Sequence, residues 1–328
     1  MKKKPRLGRT ARWLRIRRRV NTASPRIDDT PPAGQVSVIA PAKINLALHV
    51  TGRREDGYHD IETLAVFARF GDRIVVSRSE CDRFSVSGRY APDVPLDATN
   101  LVLKARDSLR EAVGEQPAQP VAIDLEKNLP VASGVGGGSS DAAATLRALC
   151  DLWDASIHAP ELAAIGLRLG ADVPMCLAMR PLLARGIGDD IAPIDQFPAL
   201  GIVLVNPGVQ VSTAQVFGQL ERTDHPGLPP LPRKLDFHSL RGWLEETRND
   251  LQPAACTLQP PIAAALSALK RADAAFWRMS GSGATCFGLY ESGNAAKRAA
   301  AQIRGRHPDW FVAATRTLDP ENAGNGTD

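Results

Sequence analysis

From Gln35 onward apolar residues alternate with small or polar ones: Val36 and Val38, then Ile44, Leu46, Leu48 and Val50. A period of two predicts strands, and Pro41 predicts a break between them. Residues 51–57 read as a turn, and further short strands are expected over 61–70, 73–77 and 84–86. The pattern then becomes helical over Leu101–Val113, with Asn100 as the N-cap and Gly114 as the stop. Residues 121–125 are mostly apolar and read as another strand. Pro160 opens a helix that Gly170 ends, an apolar run covers 175–179, and a short strand is expected over 201–205. Ser212 or Thr213 caps a helix carrying Phe217, and residues 226–232 form a proline-rich loop. Helices are expected over 240–247, 262–271 and 295–304, with strands over 275–279 and 284–290 between the last two. Strand and helix thus alternate in the second half as in a small α+β sandwich, so the fold class is α/β (α+β).

Composition changes this picture in two places. The net charge of +4 conceals a split: residues 1–34 carry eleven Lys and Arg against Asp28 and Asp29, a local +9, which leaves −5 for the other 294 residues. The body is mildly acidic, so no specific nucleic-acid partner is expected for it. The arm offers little to bury beyond Trp13, Ile16 and Val20, and is read as a disordered, solvated extension. A targeting peptide, a mis-assigned start, or weak attraction to anionic lipid or RNA are its other readings, although Ser24 is its only serine. Cys81, Cys150, Cys176, Cys256 and Cys286 are scattered with no C-x-x-C pair, which argues against a zinc site or a disulfide framework and for a reducing, cytoplasmic setting. The longest uncharged window, 196–220, is interrupted by Asn206, Pro207, Gly208, Gln210 and Gln215 and does not read as a transmembrane span.

The chemistry concentrates in one stretch: Pro130, Val131, Ala132, Ser133, Gly134, Val135, Gly136, Gly137, Gly138, Ser139, Ser140 and Asp141, running into an alanine-rich helix. Ser139, Ser140 and Asp141 are each good N-caps. A strand, a glycine loop and a helix start aim several backbone N–H groups at one spot, where the helix dipole favours an anion such as a phosphate. The pattern G-x-x-x-x-G-K-[ST] is absent, and G-x-G-x-x-G fails because Ser139 stands at the third glycine. A flexible loop of small residues is the bland reading. The capping residues and the helix behind the loop favour phosphate.

Four motifs now stand in order: Pro41 to Leu48 (PAKINLAL) with Asp56 to His59 (DGYH), the glycine loop, Gly170 to Pro174 (GADVP), and Met279 to Thr285 (MSGSGAT). Together they resemble the GHMP kinase superfamily, and the first resembles the 4-diphosphocytidyl-2-C-methyl-D-erythritol kinase family of the non-mevalonate isoprenoid pathway. The resemblance covers about residues 36–318. It implies a two-domain fold, 35–192 with the phosphate loop and 193–320 as an α+β sandwich, with the active site in the cleft and a tail over 321–328. It also implies ATP as phosphoryl donor with Mg²⁺, and transfer to the 2-hydroxyl of the methylerythritol part of a cytidine diphosphate-linked substrate. By position, Asp172 would be the catalytic base with Lys43 as its charge partner, and residues 130–140 would bind ATP. Asn45, Tyr58, His59, Lys127, Thr213 and Phe217 would line the substrate pocket. The metal ligands stay open, Ser140 or Asp141 being candidates, and a monomer or weak homodimer is expected. Ala132 and Ser133 stand where some members carry glycines, and Asp141 where asparagine also occurs.

Phosphoryl transfer needs in-line positioning, charge neutralisation and an acceptor for the hydroxyl proton. A carboxylate can take that proton, and an ammonium can hold the carboxylate ionised while facing the γ-phosphate. Taken alone, Asp172 reads as a turn residue capping a strand at Pro174, and Lys43 as an exposed lysine on a strand. A cytosine ring wants aromatic faces, which Tyr58 and Phe217 offer, and a polar edge, which His59 offers. Their bland readings are an exposed turn and a core anchor. Two other functions fit part of the pattern: another small-molecule GHMP kinase acting on mevalonate, homoserine or a sugar, and a catalytically inactive nucleotide-binding relative.

Overall fold

The structure, a computed structural model, describes residues 34–318. The basic arm, apart from Gly34, and the tail over 321–328 lie outside the described residues. Two sheets face each other, each with helices on its outer side. The first contains β1 (Gln35–Arg53), β2 (His59–Arg78), β3 (Arg83–Ser87), β4 (Val121–Glu126), β5 (Leu182–Arg185) and β6 (Asp190–Pro193), in the order β3-β4-β2-β5-β6 with β1 on the other edge of β2. The second is antiparallel in the order β10-β7-β9-β8, built from β7 (Gly201–Asn206), β8 (Phe276–Met279), β9 (Cys286–Tyr290) and β10 (Phe311–Arg316).

The alternation of side chains along each strand explains the layering. On β7, Ile202 and Leu204 enter the core between the sheets, while Val203 and Val205 face the outer helices. On β2, Leu64, Val66 and Ala68 point between the sheets, while Ala65 and Phe67 enter the core beneath the helices of the first sheet. Those helices are α1 (Leu101–Val113), α2 (Gly137–Trp153), α3 (Ala159–Leu169) and α4 (Val173–Ala178). The second sheet is covered by α5 (Thr213–Gly218), α7 (Gln252–Leu258), α8 (Pro261–Arg271) and α9 (Gly293–Arg306), and α6 (Phe237–Glu245) adds to the core between the sheets. Arg278 on β8 stitches the halves together. Its guanidinium donates to the carbonyls of Leu46 on β1 and of Leu244 and Thr247 at the end of α6. Burial, partly offset by the Asp250 carboxylate, pushes its pKa down to about 10.

Several expectations hold. α1 has the expected bounds, with the Asn100 side chain accepting from Val102 N and Gly114 closing the helix. Ser212 caps α5. Three expectations are corrected. β1 runs through Pro41 unbroken: Pro41 pairs with Gly71, and the irregularity the proline brings is taken up by a register shift beside it, between Pro41 and Lys43. The two strands expected over 61–77 are one, β2, since Gly71 lets the chains close up: a Cβ there would lie 2.0 Å from the Ala40 carbonyl oxygen. Residues 173–178 form a helix, not a strand; a short apolar run does not distinguish the two, and Pro174 is compatible with a helix's first turn. Among the described residues, no helix is long and apolar enough to cross a membrane.

Candidate active site

α2 starts earlier than its capping residues suggest. Gly136 adopts a left-handed conformation (φ 64°) as the N-cap, and the helix runs from Gly137 with no side-chain cap. Ser139, Ser140 and Asp141 therefore sit inside the helix rather than at its cap. The Ser140 hydroxyl donates to the Pro41 carbonyl at 2.8 Å, and Asp141 turns toward Lys127. This leaves the first amides of α2 without side-chain partners, which suits an anion. Ala132 also takes positive φ (49°), a conformation glycine adopts freely and alanine pays roughly 1–2 kcal/mol for.

The loop is held from two sides. On β1, Lys43 N donates to Val135 O at 2.9 Å, and a Cβ on Gly136 would sit 3.2 Å from the Lys43 side chain. From the second half, the Ser280 hydroxyl donates to Gly134 O at 2.9 Å and accepts from Asn45 N at 3.1 Å. Thr285 N donates to Ser133 O at 3.0 Å. Gly134 has φ 75°, and a Cβ on it would lie 2.4 Å from Ser280 O and 2.6 Å from Gly283 N. The last motif is thus the clasp of the loop. Asn249 supports the clasp by donating to Met279 O and Gly281 O.

Lys43 and Asp172 meet although 129 positions apart: Nζ lies 2.7 Å from Oδ2. The lysine side chain is buried against the glycine loop, and the aspartate is 39% exposed toward the cleft. Asp172 occupies the N-cap position of α4, yet its side chain makes no capping hydrogen bond. The carboxylate is spent on Lys43 and the cleft, not on the helix.

A cleft of about 970 Å³ gathers these parts. Lys43, Asp172, Asn45, Tyr58, His59, Lys127, Thr213, Phe217 and Asp141 line it, as do residues 130–139 except Val135. Val135 is buried in the core, and the Ser140 hydroxyl is turned away to Pro41. The His59 and Phe217 rings stack at 4.8 Å with an interplanar angle of 26°, and Tyr58 stands exposed beside them. Burial, and then Arg53, hold the His59 imidazole below its usual range. A neutral ring offers one donor and one acceptor. Thr213 Oγ1 and Ser282 Oγ are 2.8 Å apart, and Asn45 Nδ2 donates to Thr63 Oγ1 at 2.8 Å.

Lys127 lines the cleft as expected, with its ammonium in an ionic cluster. Its ammonium lies 2.6 Å from Asp72 Oδ2 and 2.5 Å from Asp141 Oδ2, so it is engaged with two buried carboxylates. Asp141 Oδ1 is buried with no partner, and burial, partly offset by the Lys127 ammonium, raises the Asp141 carboxyl above its usual range.

Three comparisons bear on this geometry. The GHMP kinases N terminal domain family matches residues 100–180, and the GHMP kinases C terminal family matches 233–309. A 4-diphosphocytidyl-2-C-methyl-D-erythritol kinase from Mesorhizobium japonicum is 67% identical over 282 residues, 86% of this chain and 96% of the relative. The chain belongs to the 4-diphosphocytidyl-2-C-methyl-D-erythritol kinase family. A crystal structure of a 4-(cytidine 5'-diphospho)-2C-methyl-D-erythritol kinase superposes with a TM-score of 0.71 at 33% identity, covering 87% of this chain and all of that one. A homoserine kinase from Cytophaga hutchinsonii shares the fold at a TM-score of 0.61 and 18% identity. The fold is the two-domain GHMP kinase fold.

Against this family background, the cleft contains residues that sequence reasoning passed over. Asn100, read only as a helix cap, also lines the cleft with Val94, Pro95 and Leu101. Arg53 stands at its rim beside His59. Gly281 and Ser282 were visible as a glycine-serine motif but not as lining residues. Asp72 carried no signal, since its partner lies 55 residues away.

Proposed function

We propose that the cleft transfers the γ-phosphoryl of ATP to the 2-hydroxyl of 4-diphosphocytidyl-2-C-methyl-D-erythritol, with Asp172 as general base and Lys43 as its charge partner. The observation that carries this reading is the 2.7 Å Lys43–Asp172 pair set against the clasped glycine loop. Asp172 accepts the hydroxyl proton as the alkoxide oxygen attacks the γ-phosphorus and the bond to the bridging oxygen of ADP breaks. Lys43 faces the charge that develops on the phosphoryl oxygens. The amides from Gly136 to Ser139 hold the ATP phosphates.

Among the described residues no group of three His, Cys, Asp or Glu side chains forms a metal cluster. Magnesium on a nucleotide needs fewer, because phosphates and water fill most of its shell. The partnerless, buried Oδ1 of Asp141 at the cleft wall fits that requirement, while the Ser140 hydroxyl is committed to Pro41. When bound, Mg²⁺ neutralises phosphate charge.

Tyr58, His59 and Phe217 form the recognition site for the cytosine ring, with Asn45 and Thr213 behind them. The ligand would have to enter beside, or part, the stacked His59–Phe217 pair. His59→Ala is expected to raise KM for the cytidylated substrate about tenfold or more, against a change in KM for ATP of about threefold or less, and to narrow the preference for cytosine over other bases. Steady-state kinetics with cytidine- and uridine-linked substrates checks this, and an unchanged base preference assigns His59 to structure. The division into 35–192 and 193–320, a cytoplasmic setting and a monomeric or weakly dimeric state belong to the same reading.

The test is purified full-length protein with Mg-ATP and a panel containing the cytidylated substrate, mevalonate, homoserine and a sugar. ADP formation with the first alone, and phosphate on its 2-oxygen, is expected. Turnover of another panel member in its place, or of none, contradicts the proposal.

A further inference from the structure

We infer that Lys127 is a positioning residue for the phosphate end of the nucleotide, acting through Asp141 and Asp72, and that it makes no contact with the cytidylated substrate. The inference rests on the reading of the glycine loop as the ATP site. Three chain segments meet at this ammonium. Asp72, on β2, is fully buried; its Oδ1 accepts from Asn128 N at 2.6 Å and Leu129 N at 2.8 Å, and its Oδ2 accepts from Lys127 Nζ. Asp141 comes from α2, four residues after its first. Lys127 itself leaves the end of β4, its backbone N donating to Ser87 O at 2.8 Å. An ammonium has three donors, and two are used here on carboxylates from β2 and α2.

The cluster lies directly beneath the loop. A Cβ on Gly137 would sit 3.3 Å from Lys127 Nζ and 3.8 Å from Asp72 Oδ2. Two carboxylates in that place would repel a bound polyphosphate and each other across a buried site. The ammonium offsets this charge and fixes the first turn of α2 relative to β2, so that its amides converge on the phosphates. It also fixes Asp141 with Oδ1 unpartnered at the cleft wall. Lys127 borders the cleft, but its ammonium is turned to Asp72 and Asp141 rather than into the open space. Removing one partner from a buried ionic cluster leaves uncompensated charge, and that loss falls on the loop above it.

The test uses the full chain and two readouts. One is the KM for ATP against that for the cytidylated substrate. The other is equilibrium binding of a fluorescent ADP analogue in EDTA, which is independent of turnover and of metal. Lys127→Met is expected to raise KM for ATP and the Kd of the analogue by about 10²-fold, the scale of a broken buried ion pair. KM for the cytidylated substrate should change by about threefold or less. Asp141→Asn, which keeps the shape and removes one charge, should retain analogue binding in EDTA. The double variant Lys127→Met/Asp141→Asn should recover at least about tenfold of the binding lost, and it carries the test if the single lysine variant does not fold. Equal losses for both ligands, a loss confined to the cytidylated substrate, or no recovery in the double variant overturns the inference. Wild-type protein that binds no adenine nucleotide overturns the reading of the loop itself.

Discussion

Asp172→Asn is expected to lower kcat by roughly 10²–10⁴-fold while KM for ATP and for the cytidylated substrate changes little. Asparagine keeps the size of the side chain and can still accept a hydrogen bond from Lys43, so the cleft keeps its shape. What it lacks is a site for the hydroxyl proton. The structure separates this from a structural role, because the Asp172 side chain caps nothing: α4 begins without a side-chain hydrogen bond at its N-cap. Loss of a working cap costs about 1 kcal/mol of stability; here no cap is lost, and the fall in turnover should far exceed whatever the weakened Lys43 pair takes from the unfolding midpoint. Rapid-quench kinetics and thermal unfolding on one preparation check both. A variant with normal turnover and lowered stability would return Asp172 to the role of a turn residue.

Gly134→Ala should be nearly as damaging, for a mechanical reason. The added Cβ meets backbone, at 2.4 Å from Ser280 O and 2.6 Å from Gly283 N, and the residue holds a positive φ that alanine resists. Neither neighbour is a flexible side-chain end that can move aside. The loop must separate from the segment that clasps it, and the Ser280 bonds to Gly134 O and Asn45 N strain or break. A loss of about 3 kcal/mol in stability is expected from the overpacking. A shift of the loop by an ångström should cost at least roughly 10²-fold in kcat/KM for ATP. Urea unfolding and ATP kinetics measure the two losses, and an alanine variant with wild-type values for both would remove the clasp from the account.

Much of the fold was legible because local chemistry decided it. Asn100 and Gly114 bracket α1, Ser212 caps α5, and the short apolar run of 201–205 appears as a strand with one face in each core. What was not legible depended on distant partners. Pro41 signals a break to any local reading, and only the bulge against β2 shows that it is absorbed. α7 spans only seven residues and has no side-chain cap to mark its start. The strands β5 and β10 are short and owe their ladders to β2 and β7, far along the chain.

The same division runs through the site. Most of its residues were found because they sit in compact motifs, and the cleft brings those motifs together. The ion pairs of Lys127 were not legible because its two partners lie 55 residues before it and 14 after it. The cap of α2 was misplaced because three good capping residues follow glycines, and the left-handed Gly136 starts the helix ahead of them.

The central claim is that Lys43 and Asp172 act as one unit in phosphoryl transfer. A double-mutant cycle on kcat tests it most directly, with Asp172→Asn, Lys43→Ala and the pair together, and with ligand affinities measured separately for each. Groups that act as a unit give strongly non-additive losses. The double variant is therefore predicted to fall little below the worse of the two single variants. Losses that multiply in full would mean that the 2.7 Å contact joins two residues working independently, and would contradict the account.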